Sequence, residues 1–434
     1  MDKMADVLGR AGAWCGQNKY LSAIKNAFQN FMPLTIAGAI GVLWCNVLVN
    51  DQTGLGLFFK PIMALDFLNP AFQAVNFCTI SCITVGITLG IAQEIGVWNM
   101  GAERAGYIPG LVGLAAWLSV TNTSHMVEGA KEAFTGIAGN ELGATGLFTG
   151  MIIGVLSVEL FCFFEKQDAL KIKMPEQVPP GVARAFEVLV PATITLIITA
   201  CIGSACYNLT GLYLNDVIKN GIQGPLGAVG ATIPGVMIIY LVIMLFWLVG
   251  IHGNNMLSAV KEALFTPLAL ENVEKFNKGE KPTNIINMYA LQMWGEFGGS
   301  GVTIGLVIAI MIFGKREDNK AIATLSLVPG LFNINETVTF GIPMVLNPIL
   351  GIPFVFACLV TIFVGYVLTV IGFCPVACLT VPWTTPPIVF GFLACGANVM
   401  GAVTQAILIV VSTVIYTPFL ISYEKYQNKQ AAEA

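Results

Sequence analysis

Two residues with acid–base chemistry, Glu336 and His252, stand in apolar stretches of the sequence. Glu336 follows Asn333 and Asn335 in FNINETVTFG, and His252 stands between two glycines in GIHGNN, directly after a strongly apolar run. A carboxylate in an apolar setting, above all within a bilayer, is costly and marks a functional site, although such a residue can also cap a helix. We therefore predict Glu336 and His252 as catalytic, with Glu336 orienting or deprotonating a hydroxyl nucleophile. The other histidine, His125, lies in a polar loop and is expected to be solvated.

Polar and aromatic residues in the neighbouring motifs have the chemistry that binds a hydroxyl-rich ligand. Glu296 lies in WGEFGGSG, and Trp383 lies between prolines in VPWTTPP. An aromatic ring covers the apolar C–H face of a sugar, while carboxylates and amides bind its hydroxyl groups. The predicted substrate-binding residues are Asn254, Glu296, Asn333, Asn335 and Trp383. For the tryptophans in these motifs, a place in the aromatic belt of a membrane interface is the alternative.

The composition places these residues in a membrane protein. Hydrophobic residues make up 56% of the 434 residues and charged residues only 11%, against ~25% charged in ordinary soluble domains. The net charge of −4 provides no basic face for nucleic acid. The sequence has no phosphate-binding or dinucleotide-binding glycine motif, and Cys374 and Cys378 lack a second pair at metal-ligand spacing. We therefore predict neither a cofactor nor a metal site.

The elements that must position the polar residues are predicted to be membrane-spanning helices, each needing ~20 apolar residues. The candidate spans are 28–49, 72–93, 105–121, 143–164, 187–208, 226–249, 300–314, 338–350 joined loosely to 351–372, and 400–421. Three segments rich in Gly, Pro, Asn or Thr are predicted to be re-entrant: 251–268, 321–337 and 374–398. The first ~25 residues are predicted to form an amphipathic helix at the interface.

The two halves of the chain differ in character. Residues 1–220 are predicted to form regular helices that pack as a scaffold and dimer interface, whereas 221–434 holds nearly all the polar intramembrane sequence. Basic residues gather before the first span, in 166–184 and near the C-terminus, which predicts that both termini are cytoplasmic. Two further basic stretches, 261–281 and 315–320, flank a single obvious span, so one segment of the second half is re-entrant or an additional crossing.

Three motifs resemble those of a known family, the membrane-spanning enzyme IIC components of the bacterial phosphoenolpyruvate-dependent sugar phosphotransferase system, in the lactose/cellobiose/N,N'-diacetylchitobiose branch. The motifs are GIHGNN at 250–255, FNINETVTFGIPMVLNP at 332–348 and VPWTTPPIVFGFLACG at 381–396. The overall length also matches. The resemblance implies an all-α polytopic membrane protein with about ten transmembrane helices, two re-entrant hairpins and amphipathic helices.

The resemblance also implies a mechanism. A homodimer in the bacterial inner membrane would bind an extracellular disaccharide, either N,N'-diacetylchitobiose or cellobiose, and carry it inward by movement of the C-terminal half. The C6 hydroxyl would then be phosphorylated on the cytoplasmic side by a phosphocysteine on a separate IIB protein, supplied in turn by IIA. Glu336 would accept a hydrogen bond from that hydroxyl, and His252 would help to remove its proton. The chain alone would not be an enzyme.

Three alternatives are compatible with the residues themselves. A secondary transporter driven by protons or sodium would use Glu336 as its coupling carboxylate. A self-contained intramembrane glycosyltransferase or hydrolase would form product without a partner, although no second acid has a persuasive partner in the sequence. In a membrane scaffold, Glu336 and His252 would have only structural roles.

Overall fold

Helices account for nearly all of the regular structure. The computed structural model describes residues 10, 13–14, 17–51, 55–125, 134–175, 177–225, 230–342 and 344–433. Its α-helices are α1 (Lys19–Leu43), α2 (Asn69–Cys78), α3 (Ile83–Met100), α4 (Ala102–Ala105), α5 (Ile108–Val120), α6 (Gly139–Leu142), α7 (Ala144–Glu165), α8 (Pro180–Thr210), α9 (Leu214–Ile218), α10 (Ile233–Leu248), α11 (Gly253–Met256), α12 (Ser258–Asn277), α13 (Met288–Gly295), α14 (Ile304–Phe313), α15 (Glu317–Leu331), α16 (Glu336–Gly341), α17 (Gly351–Val370), α18 (Val389–Ala394) and α19 (Val399–Glu433). Two short strands, β1 (Ser124–His125) and β2 (Phe134–Thr135), pair antiparallel. Shorter 3-10 and π segments are Trp44–Leu48, Leu55–Leu57, Lys60–Leu68, Ile80–Cys82, Asp168–Leu170 and Lys219–Gln223.

Six helical stretches in the described residues are long and apolar enough to cross a membrane: Lys19–Leu48, Lys60–Met100, Ala144–Glu165, Pro180–Thr210, Gly351–Val370 and Val399–Glu433. Shorter apolar helices are Ile108–Val120, Ile233–Leu248 and Ile304–Phe313. Their outward faces remain apolar, as at Ile197, which is 58% exposed, because lipid replaces water around such helices. The prediction of an all-α polytopic membrane protein is confirmed.

The chain forms two compact units. The N-terminal unit comprises Gln17–Gly38 and Ala74–Gly227, and the C-terminal unit comprises Met1–Gly16, Ala39–Gln73 and Ala228–Ala434. The boundaries differ from a single division near residue 220, because two early segments cluster with the later part of the chain.

Small residues allow the helices of the N-terminal unit to pack closely. Helices α3, α5 and α7 pack against one another, and α8 lies against α5 and α7. A Cβ at Gly113 would lie 2.3 Å from the Cβ of Ala92, so only glycine permits this approach. At the end of α7 the buried carboxylate of Glu165 pairs with Arg104 and Arg184, each at 2.8 Å, which offsets the cost of burying its charge.

The C-terminal unit combines spanning helices with short helices and irregular backbone. Helix α19 packs against α14, α17 and α18, and α10 packs against α17. The segment 338–350 is predicted as a span, but its described residues, 338–342 and 344–350, form the end of α16 and a series of turns, so that prediction is wrong. The side chain of Asn347 accepts hydrogen bonds from the N–H groups of Ile349 and Leu350 at 2.9 Å each, and this turn delays the next helix to Gly351.

Candidate functional site

Four irregular segments of the C-terminal unit, which we term the site segments, are joined by side-chain hydrogen bonds. They are residues 250–256 before and within α11, 295–303 between α13 and α14, 332–336 between α15 and α16, and 381–388 before α18. Ser300 joins three of them: its hydroxyl accepts from Asn254 Nδ2 at 2.8 Å, and its carbonyl accepts from Asn335 Nδ2 at 2.8 Å. The three sequence motifs, together with WGEFGGSG, therefore belong to one site.

The second site segment depends on glycine. Gly298 and Gly301 have φ values of +68° and +78°, in the left-handed region that L side chains rarely adopt. A Cβ at Gly298 would also lie 2.4 Å from the Cβ of Ile304. The hydroxyl of Tyr416, on α19, donates to the carbonyl of Gly301 at 2.7 Å and anchors the segment. Glycine is thus required at Gly298 and Gly301 by backbone geometry.

His252 caps the short helix α11. Its Nδ1 accepts a hydrogen bond from the N–H of Asn255 at 3.3 Å, and its ring lies 4.5 Å, centroid to centroid, from that of Trp247. A nitrogen that accepts a hydrogen bond carries no proton, so this geometry assigns the proton of the neutral ring to Nε2. Gly253 sits directly on α10, since a Cβ there would lie 2.0 Å from the carbonyl oxygen of Ile243. The imidazole is therefore fixed in both position and tautomer.

Glu336 is the first residue of α16, and its Oε1 lies 3.9 Å from Nε2 of His252. The two side chains are 48% and 38% exposed, so both are reachable by a ligand. The separation is longer than a direct hydrogen bond. One hydroxyl group between them would donate to the carboxylate of Glu336 and accept from Nε2–H of His252.

Glu296 is held by two buried residues that lie outside the sequence motifs, Tyr240 and Lys261. Its Oε1 accepts a hydrogen bond from the hydroxyl of Tyr240 at 2.7 Å and pairs with Nζ of Lys261. Lys261 also donates to Oδ1 of Asn254 at 3.3 Å. Lys261 is only 5% exposed and Tyr240 is fully buried. In the sequence Lys261 begins the basic stretch 261–281, and its burial against Glu296 is a tertiary contact.

Asn333 and Asn335 use their side chains on backbone groups. Asn333, with φ of +62°, accepts from the N–H of Gly298 at 2.6 Å and donates to the carbonyls of Trp383 and Thr385. Asn335 is 4% exposed and donates to Ser300. The side chain of Trp383 remains 44% exposed. The asparagines hold the site segments together, and the indole ring is available to a ligand.

Comparisons with known proteins agree on one family. Residues 25–358 match the model of the family described as Phosphotransferase system, EIIC. The chain is 32% identical over 429 residues to the PTS system oligo-beta-mannoside-specific EIIC component of Bacillus subtilis (strain 168), covering 98% of this chain and 94% of the relative. It is 29% identical over 486 residues to the PTS system cellobiose-specific EIIC component of Lactococcus lactis subsp. lactis (strain IL1403), covering 98% of both. A solved structure, the transporter ChbC, which is the IIC component from the N,N'-diacetylchitobiose-specific phosphotransferase system, superimposes with a TM-score of 0.88 at 29% identity over 97% of both chains.

Proposed function

The chain belongs to the phosphotransferase system EIIC family, the membrane transport components for sugars, and on this premise we propose that it carries a disaccharide inward for phosphorylation at its C6 hydroxyl. The donor is the phosphocysteine of a IIB protein, which IIA recharges. The substrate is N,N'-diacetylchitobiose or cellobiose, the sugars for which two similar proteins are specific.

The observation that carries this proposal is the pairing of Glu336 and His252 across a gap of 3.9 Å, with both side chains accessible. A primary hydroxyl in the gap meets a carboxylate that accepts its proton and an imidazole N–H that donates to its oxygen. The exposed ring of Trp383 supplies an apolar face for a sugar ring.

The chemical step follows from these roles. The C6 oxygen attacks the phosphorus atom, its proton passes to Glu336, and the phosphorus–sulfur bond of the phosphocysteine breaks to release the thiolate. His252, with its proton on Nε2, donates a hydrogen bond to the C6 oxygen and holds it in line with the phosphorus–sulfur bond. His252 is therefore not the base. Asn254, Asn333 and Asn335 keep the site segments in place, and Glu296 is part of that support.

The larger arrangement extends the same proposal. The chain works as a homodimer in the bacterial inner membrane, with both termini in the cytoplasm and the N-terminal unit forming the scaffold and dimer interface. The C-terminal unit binds the sugar and moves between the two sides of the membrane. Basic residues near the C-terminus, Lys425 and Lys429, favour the cytoplasmic placement of that end.

The test is phosphorylation of labelled disaccharides by the reconstituted chain with its phosphorylated IIB partner. Glu336→Gln is expected to keep sugar binding while phosphorylation falls by ~100-fold or more, because an amide cannot accept the proton. Glu317→Gln, at a carboxylate that is 87% exposed, is the matched control and should leave the rate unchanged.

Two results would overturn the proposal. Near-normal phosphorylation by the Glu336→Gln protein removes Glu336 from the reaction. Accumulation of unmodified sugar in vesicles with a proton or sodium gradient and no IIB protein would instead establish the secondary transporter.

A further inference from the structure

Lys261 is a buried cation whose contacts lead to both proposed catalytic residues. It lies in the first turn of α12, and its side chain is 7% exposed. Its ammonium group pairs with Glu296, donates to Oδ1 of Asn254 at 3.3 Å and lies 5.5 Å from the ring centroid of Tyr240. Every one of these groups is an electron-rich partner, so the positive charge is neutralised within the protein.

One series of hydrogen bonds leads from Lys261 through Asn254 to Ser300. Because Oδ1 of Asn254 accepts from Lys261, its amide nitrogen is turned toward Ser300, to whose hydroxyl it donates at 2.8 Å. Ser300 in turn accepts from Asn335 through its carbonyl. His252 stands two residues before Asn254, and Glu336 directly follows Asn335.

We propose that Lys261 is a positioning residue that sets the separation of His252 and Glu336 by neutralising Glu296 and fixing the orientation of the Asn254 amide. The inference rests on the proposed function and adds a residue to it. Direct binding of the sugar by Lys261 is disfavoured, because two of its three N–H donors are engaged and little of its surface is exposed.

The experiment compares Lys261→Met, Glu296→Gln, the double variant and Lys261→Arg. Each neutral single variant leaves an uncompensated buried charge, so we expect the melting temperature without sugar to fall by roughly 5–15 °C. At saturating sugar, kcat for phosphorylation should fall by ~10–100-fold while the Kd for sugar changes by less than about threefold, since the defect is in geometry.

The double variant is decisive, because replacing both members of a buried ion pair removes the unpaired charge. We expect it to recover most of the lost melting temperature and more activity than either single variant. Lys261→Arg should retain more activity than Lys261→Met. The control Lys278→Met, at a pair with both side chains at least 42% exposed, should have no effect.

Three outcomes would overturn the positioning role: single variants with normal stability and kcat, a double variant no better than Lys261→Met, or a loss of sugar binding in Lys261→Met that far exceeds its loss of kcat. The melting temperatures are measured without sugar or IIB protein. If the wild-type chain phosphorylates no sugar, the proposed function fails, while the coupling between Lys261 and Glu296 is still measured independently.

Discussion

Asn333 offers the sharpest test of how the site is held together. Its side chain makes one hydrogen bond to Gly298 and two to the segment of Trp383 and Thr385. Its backbone is in the left-handed region at φ of +62°. Asn333→Ala removes the three hydrogen bonds and places alanine in a conformation that asparagine tolerates better. Asn333→Gly removes the hydrogen bonds but suits the backbone.

The magnitudes follow from these contacts. Each hydrogen bond contributes ~0.5–1.5 kcal/mol net, and the low half of that range applies because the contacts are only partly buried. Their loss therefore costs about 1.5–3 kcal/mol, and alanine adds about 1 kcal/mol for the backbone, which gives about 2.5–4 kcal/mol in all. Since ~1.4 kcal/mol corresponds to tenfold, we expect Asn333→Ala to weaken sugar binding by ~60–700-fold. The loss for Asn333→Gly should be smaller by about fivefold.

The assay is calorimetric titration of the solubilised protein with the disaccharide that it binds best, together with thermal unfolding. Asn333→Asp is the third variant. Its side chain can still accept from the N–H of Gly298, but it places an anionic oxygen against the carbonyls of Trp383 and Thr385. Its loss of sugar affinity should therefore equal that of Asn333→Ala. Sugar affinity within threefold of the wild type in Asn333→Ala would refute the reasoning. So would a glycine variant that binds more weakly than the alanine variant.

Two further predictions concern His252 and Gly298. In His252→Gln the amide nitrogen reaches the position of Nε2, whereas in His252→Asn it reaches only that of Nδ1. The glutamine variant should therefore phosphorylate sugar at least ~10-fold faster than the asparagine variant. Equal rates would contradict the role of His252 as a hydrogen-bond donor. Gly298→Ala should lower the melting temperature and sugar affinity far more than Gly279→Ala. Both glycines have positive φ, but a Cβ at Gly279 meets nothing within 4 Å, whereas at Gly298 it meets Ile304 at 2.4 Å. Similar losses in the two alanine variants would show that contact with Ile304 is unimportant.

Much of the fold and the membership of the family was predictable from the sequence. Apolar runs of span length predict membrane helices, because the bilayer requires them, and the fold class is confirmed. The resemblance carried by the motifs around His252, Glu336 and Trp383 is also confirmed. The breaks at Asn347 and Pro348 were underestimated, because an apolar run conceals turns that single polar side chains stabilise.

The supporting contacts of the site could not be predicted in this way. Lys261 begins a basic stretch of the sequence, and only the fold shows that it is buried against Glu296, 35 residues later. Tyr240 is one aromatic residue in a uniformly apolar helix, so no pattern distinguishes it. Whether an asparagine faces a ligand or a backbone carbonyl depends on tertiary contacts, as Asn333 demonstrates. The catalytic and binding roles themselves remain predictions.

The left-handed residues of the C-terminal unit have a consequence for engineering. Among the described residues, each non-glycine residue with positive φ lies in this unit, including Val302 at +50° and Ile388 at +76°, whose branched side chains suit that conformation poorly. Each such residue costs ~1–3 kcal/mol, and glycine would relieve that cost. Selection for heat resistance would therefore favour glycine at Ile388, which lies in one of the site segments and is 45% exposed, and not at Val302, whose fully buried side chain glycine would remove from the core. Glycine at Ile388 would loosen the backbone that holds the site, so a thermostable variant obtained in this way is expected to lose turnover.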